Sequence, residues 1–278
     1  MKFYPSVSLS GLAVIALALA IPHEGRASLI VFSTPNAPLP ATSGNGLVGA
    51  YYRPTNGFEA RTIANANAYI AANGADATFI STGINYPAGS VYGSGNTPSD
   101  ASPVSTYLGS DATSLTALAG SPSGETTAQV LANPLDGTMY VFTGYLAVTA
   151  AEVNTMQTFF IGSDDGSALS IQGQQVVAND GDHSFGFTSG GNTAEFTQPG
   201  LYAIRFLYYE DGGETGVEFG STLAGAGTVG AELTAADFYQ TAPISAVPEP
   251  DSIVPLATIG AIACGLFRKK SGRRAIQA

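Results

Sequence analysis

The pair Asp164-Asp165, followed by Gly166-Ser167, is where this sequence comes nearest to chemistry. Two carboxylates on neighbouring residues repel each other unless a cation bridges them, and calcium takes roughly 6 to 8 ligands from oxygen-only sets. The same four residues also suit a tight turn in which aspartate oxygens accept backbone N–H groups. Both readings stay open on the sequence. A second acidic stretch, Asn179-Asp180-Gly181-Asp182, reads as a turn, because an EF-hand loop starting there would need glycine at its sixth position, where Phe185 stands. Catalysis has little to work with. Beyond the first 27 residues His183 is the only histidine, no Gly-x-Ser-x-Gly motif occurs, and the His and Cys ligands that zinc wants are missing. Nothing fixes two carboxylates at the roughly 5 to 9 Å that glycoside hydrolysis needs. The expectation is a protein that is not an enzyme.

The elements that must hold these aspartates are strands. Thr158 to Ser163 and Ala168 to Ile171 are apolar runs flanking Asp164-Asp165-Gly166-Ser167, the pattern of a β-hairpin closed at an Asp-Gly step. Gly200 to Tyr209 is the clearest strand: Tyr202, Ile204, Phe206 and Tyr208 alternate onto one face and Ala203, Arg205 and Leu207 onto the other. Alternation places Tyr208 in the core and leaves Tyr209 at the surface, free to stack on a flat ligand. Asp211-Gly212-Gly213 then turns the chain back towards Val217 to Phe219. Upstream, Gly46 to Tyr52, Ala77 to Tyr86 and Met139 to Val148 read as strands, and Ile63 to Ala72 as an alanine-rich helix stopped by Asn73-Gly74. Residues 28–45, with Pro35, Pro38 and Pro40, read as a leader before a domain at 46–240. Residues 87–134, rich in Ser, Gly and Thr, read as a long surface insertion. Successive strands without strand-helix alternation predict an all-β fold, an antiparallel β-sandwich with one short helix.

Several of these stretches together resemble the protective-antigen-type domain, PA-14. They are Phe142-Thr143-Gly144-Tyr145-Leu146, Phe159 through Leu169, Gly173 through Gly181, and Gly200 through Glu210, with Gly46 to Tyr52 and Leu233 to Tyr239 matching its ends. The resemblance implies a β-sandwich that commonly binds carbohydrate. In the family's adhesin lectins two adjacent aspartates joined by a cis peptide chelate calcium, and the ion holds sugar hydroxyls. Carried over, this makes Asp164 and Asp165 metal ligands and sugar contacts; Tyr209 joins them as a sugar contact on the alternation reading alone. Asp211 resembles the position of a further ligand, where the lectins usually supply asparagine.

Charge narrows the partners. Seven of the ten Lys and Arg residues lie in the terminal segments, leaving Arg53, Arg61 and Arg205 between residues 28 and 247 against 18 acids, a net charge of −15. Nucleic acid and anionic lipid, which bind through clustered cations, are therefore poor partners for this middle, and nucleic acid is not expected as one. The lone cysteine, Cys264, lies near the C-terminus, so the middle can form no disulfide.

The two ends read as export signals. Lys2, an uncharged stretch from Val7 to Ile21, and Gly25-Arg26-Ala27 follow the order of a secretory signal peptide over residues 1–27. Residues 241–278 carry Pro248-Glu249-Pro250, an uncharged run from Ile253 to Phe267, and a basic cluster at 268–274 that includes Arg268, Lys269 and Lys270. At about 1.5 Å per residue that run reaches about 22 Å, too short for an ordinary span and suited to a transient hold in the inner membrane. This order resembles the PEP-CTERM sorting tail, which implies an exosortase-type processing enzyme as partner and a secreted or cell-surface destination. The expected function is a non-enzymatic surface or matrix protein that binds carbohydrate such as exopolysaccharide, with calcium as its cofactor. The competing readings are a matrix component without a specific ligand and an accessory module of a polysaccharide-degrading system.

Overall fold

The computed structural model describes residues 28–242 apart from Asn56, Gly191 and Asn192. The predicted signal peptide and the Pro248-Glu249-Pro250 tail with its apolar run lie outside the described residues. Among the described residues no helix is long and apolar enough to cross a membrane.

In chain order the strands are β1 (Leu29–Phe32), β2 (Leu47–Tyr52), β3 (Ala77–Ser81), β4 (Asn85–Tyr86), β5 (Thr116–Ala117), β6 (Met139–Val148), β7 (Met156–Asp164), β8 (Ser167–Ile171), β9 (Gln174–Asn179), β10 (Gly186–Thr188), β11 (Thr193–Phe196), β12 (Gly200–Tyr209), β13 (Gly216–Ser221), β14 (Ala231–Glu232) and β15 (Phe238–Tyr239). Helices α1 (Ile63–Ala72), α2 (Val104–Leu108) and α3 (Thr127–Ala132) join them. One sheet runs β1-β11-β7-β13-β14, with β10 on β7 and β4 on β13. The other runs β5-β3-β2-β6-β12-β8-β9, with β15 on β6. Every pairing between strands is antiparallel except β1 with β11. The fold is the all-β sandwich that alternation predicts.

The core forms because the apolar faces of the two sheets meet. Tyr140, Phe142, Tyr202, Ile204 and Phe206 from one sheet join Phe159, Ile161, Val217 and Phe219 from the other in one buried cluster. Phe206 meets Phe219 across the gap with ring centroids 5.3 Å apart. Burying a side chain of this size contributes about 1.5 to 3 kcal/mol.

Besides the run from Ala77 to Tyr86, which is two strands in different sheets (β3 and β4) and not one, three sequence expectations change here. First, β7 and β8 do not pair. β7 hydrogen-bonds to β11, β13 and β10, and β8 to β12 and β9, so Asp165-Gly166 carries the chain from one sheet to the other. The reason is that both strands present apolar residues to the same interior from opposite sides, Phe159 and Ile161 against Leu169 and Ile171. Second, the leader contains a strand: Leu29–Phe32 adds to the sheet edge, and Phe32 stacks on Phe196 at 5.3 Å. Third, the 87–134 segment is more than a surface excursion. Val104, Tyr107, Leu108, Leu115 and Val130 are buried in the main core, and Thr126 with Gln129 forms a capping box on α3. A few well-spaced apolar side chains anchor a segment whose overall composition is polar. Its turn at 92–95 also lies over the outer face of β13, where Tyr92 occupies the space that a side chain at Gly220 would fill and Glu218 accepts the Gly93 and Gly95 N–H groups.

Helix α1 keeps its predicted bounds, with Thr62 accepting the Asn65 N–H and Asn73 ending it. It packs Ile63 and Ala66 against Met139, Val141, Ala168, Leu207 and Tyr209, covering part of the outer face of the second sheet.

Candidate functional site

The link from β12 to β13 also passes between the sheets. β13 pairs with β7, placing Gly216 opposite Asp164, while β12 pairs with β8, placing Tyr208 opposite Ser167. The two crossings therefore run side by side at one end of the sandwich. That is what brings Glu210 to the aspartate pair.

One carboxylate oxygen from each of Asp164, Asp165 and Glu210 lies within 4.8 Å of the others. All three residues are buried, Glu210 completely, and the Asp164-Asp165 peptide bond is cis. Asp165 Oδ1 accepts the His183 N–H at 2.9 Å and its Oδ2 the Asp211 N–H at 3.0 Å. Glu210 Oε1 accepts the Gly212 N–H at 2.8 Å. The Tyr208 hydroxyl stands 3.0 Å from Glu210 Oε2, 2.6 Å from the Asp164 carbonyl and 2.7 Å from Thr215 Oγ1. Beneath the corner Ser163 and Ser167 join hydroxyls at 2.7 Å across the sheet change.

Electrostatics follow from that crowding. Burial, then the Asp165 charge, pushes the Glu210 carboxyl up to about 9. Burial, then Asp165, pushes Asp164 up to about 6. Burial also raises Asp165, against the hydrogen bonds from Asp211 and His183. Desolvation and like charge both favour the protonated acid, and a bound cation would reverse both effects. The donor set is oxygen-only and acidic, the chemistry a hard divalent ion accepts. Its near partners are backbone N–H groups and hydroxyls, and among the described residues no lysine or arginine is hydrogen-bonded to the trio.

Asp211 is placed differently from Asp164 and Asp165. Its carboxylate accepts the Ala60 N–H at 2.7 Å and the Arg61 N–H, so it fastens the 60–61 backbone to the corner. Asp180 does the same for the start of α1, accepting the Ile63 N–H at 2.7 Å. Beside the trio an opening of about 230 Å³ is lined by Asp165, Asp182, Asp211, Gly212, Glu59 and Arg61. Within it Asp182 is exposed and Arg61 is paired to Glu59.

Tyr209 is not at the surface. It is fully buried under α1, with its hydroxyl accepting the Gly181 N–H at 3.1 Å. Alternation correctly turns it away from the main core, but a helix covers that side of the sheet. Its ring lies on Gly166, where a Cβ would come within 2.5 Å of Cε1, Cζ and the hydroxyl, so only glycine fits the corner. Of the other aromatics, Phe185 is partly exposed and stands edge-on to Phe187 at 5.5 Å. Glu210 is the residue that the sequence reading leaves without a role. An acid directly following a strand of apolar and aromatic residues is the signal that it would be buried.

A two-sheet sandwich with buried acids where the chain changes sheets is the class that this geometry defines. The PA14 domain model matches residues 133–231, from the residue after α3 through the first residue of β14. Among solved structures, the PA14 domain of MpAFP antifreeze protein is similar at 22% identity and a TM-score of 0.55, over 75% of this chain and 97% of that one. The PA14 sugar-binding domain from an RTX adhesin follows at 23% identity and a TM-score of 0.49, over 71% and 99%. Epithelial adhesin 6 A domain from Candida glabrata, in complex with Galb1-3GlcNAc, has 12% identity and a TM-score of 0.41, over 74% and 90%. No curated protein matches the chain.

Proposed function

We propose that this chain is an exported, non-enzymatic module that binds carbohydrate at the Asp164-Asp165 corner, with calcium as the cofactor. The observation that carries the reading is the convergence of three buried carboxylates within 4.8 Å. Asp164, Asp165 and Glu210 would hold the ion, and Asp211 would fix the loop beside it. When bound, calcium supplies open coordination positions for neutral oxygen ligands such as vicinal hydroxyls. The chain's own part is to hold these carboxylates rigidly, through Tyr208 and the N–H groups of His183, Asp211 and Gly212. The opening past Asp165 gives a ligand access. The net charge of −15 between residues 28 and 247 favours neutral or cationic glycans over anionic ones. The match of residues 133–231 to the PA14 domain supports the same reading.

Export rests on the sequence alone: the 1–27 signal peptide, Pro248-Glu249-Pro250, the apolar run and the basic cluster that would engage an exosortase-type enzyme. A glycan array of the full chain, run with calcium and with chelator, tests the binding reading. Calcium-dependent signal that disappears in Asp165→Asn is expected. A blank array under both conditions sinks carbohydrate binding and favours a matrix component without a specific ligand.

A further inference from the structure

A second cavity, of about 300 Å³, opens where β4 and the turn after it meet the segment around Ser110 and β14. It is lined by Thr82, Asn85, Ser90, Ser110, Asp111 and Glu232 among others, and none of its lining residues falls within 133–231. It sits further along β13 from the acidic corner. Gly216 lies opposite Asp164, Glu218 opposite Asn85, and Gly220 opposite Glu232. At about 3.3 Å per residue the two regions are about 13 Å apart along the strand.

The groups around this cavity have unequal commitments. Asp111 is fully engaged, accepting the Thr82 N–H at 3.0 Å, the Thr82 hydroxyl at 2.9 Å and the Tyr86 hydroxyl at 2.7 Å. The Glu232 carboxylate accepts no hydrogen bond and joins no ion pair among the described residues. The Asn85 side-chain N–H donates to the Ser90 carbonyl at 3.0 Å, which fixes the amide and leaves its buried Oδ1 with no donor. No lysine or arginine lines the cavity. Acceptors and negative charge are thus in excess, and a buried acceptor without a donor is costly. A complementary ligand brings N–H donors and positive charge. The hydroxyls of Thr82, Ser90 and Ser110 suit ring hydroxyls, and the volume lies at the small end of ligand sites, fit for one ring.

We propose that this cavity binds a primary ammonium group carried on a sugar ring, that is, a hexosamine whose nitrogen is not acylated. Glu232 is the counter-charge, and Asn85 Oδ1 is a second acceptor. The site is independent of calcium and of the acidic corner.

Ligand-observed NMR titrations of the full chain, in chelator, test this with D-glucosamine, D-glucose, N-acetyl-D-glucosamine and lysine amide. Glucosamine is expected to bind at least about tenfold more tightly than the two neutral sugars, since hydrogen bonds to a charged partner are the stronger kind. Glu232→Gln, which breaks no existing hydrogen bond and so keeps the wild-type Tm, is expected to weaken glucosamine by about the same factor. Asp165→Asn is expected to leave it unchanged, which separates this site from the corner. Equal binding of glucosamine and glucose, no binding of glucosamine, or Glu232→Gln without effect would overturn the proposal. Tighter binding of lysine amide than of glucosamine would also overturn it, in favour of a peptide ligand.

Discussion

Replacing Glu210 with glutamine should make the protein more stable without calcium and less responsive to it. The side chain keeps its shape and its contacts to Gly212 and Tyr208 but can no longer ionise. In the folded wild type the carboxyl titrates at about 9, against an ordinary value of 4.5. The folded state therefore binds the extra proton between those two values. The wild type's stability contribution from this group is complete below about pH 4.5 and is lost as pH rises towards 9, because the unfolded chain ionises freely and the folded one cannot. At pH 8 the difference from the ordinary value is some 3.5 pH units at about 1.4 kcal/mol each, near 5 kcal/mol. Relaxation of the 210–215 crossing and residual water reduce that, so a gain of about 2 kcal/mol in the variant is expected, or about 4 to 8 °C in Tm for a domain of this size. The assay is thermal unfolding by near-ultraviolet circular dichroism at pH 5, 7 and 8, in EGTA and in millimolar calcium. In EGTA the variant should lead by a margin that grows with pH. With calcium, the wild type should gain Tm by ligand linkage and the variant should gain much less. A variant that is less stable than wild type in EGTA at pH 8 would refute the argument that a buried, crowded acid is a liability there. Equal calcium increments would remove Glu210 from the ligand set.

Two further substitutions probe the same corner. Gly166→Ala drives a methyl group into the Tyr209 ring and should cost about 1 to 3 kcal/mol, with little recovery from calcium, read as a fall in the denaturation midpoint. Asp211→Ala leaves the Ala60 and Arg61 N–H groups without their acceptor and should cost about 1 to 3 kcal/mol. If Asp211 acts as a fastener, its calcium affinity by isothermal titration falls less than that of Asp165→Ala, and an equal fall would make it a ligand instead.

The strands themselves were legible because alternation on the β12 face and the run from Met139 to Val148 are strong period-two signals, and α1 carries its own cap and stop. The connections were less legible. A short Asp-Gly link reads the same whether its flanking strands pair or split between sheets, because either arrangement buries Phe159, Ile161, Leu169 and Ile171. That ambiguity hid Glu210, whose position depends on two crossings lying side by side. Tyr209 was misplaced because α1, more than 130 residues away in sequence, covers its face. In the 87–134 segment, the apolar residues that matter are too few to show a period among the serines and glycines. Asp164 and Asp165 stood out because two adjacent acids between apolar strands are costly in any fold.

The change of sheet at Asp165 also sets where this sandwich can come apart. Between residues 28 and 247 no cysteine is available to pin one layer to the other by a disulfide, since the only one lies at position 264. At this end the layers are joined by two peptide crossings flanked by acids that repel. If the corner takes calcium as proposed, the joint would act as a clasp tightened from solution in addition to the shared core, so the same molecule would be tighter in hard water than in soft.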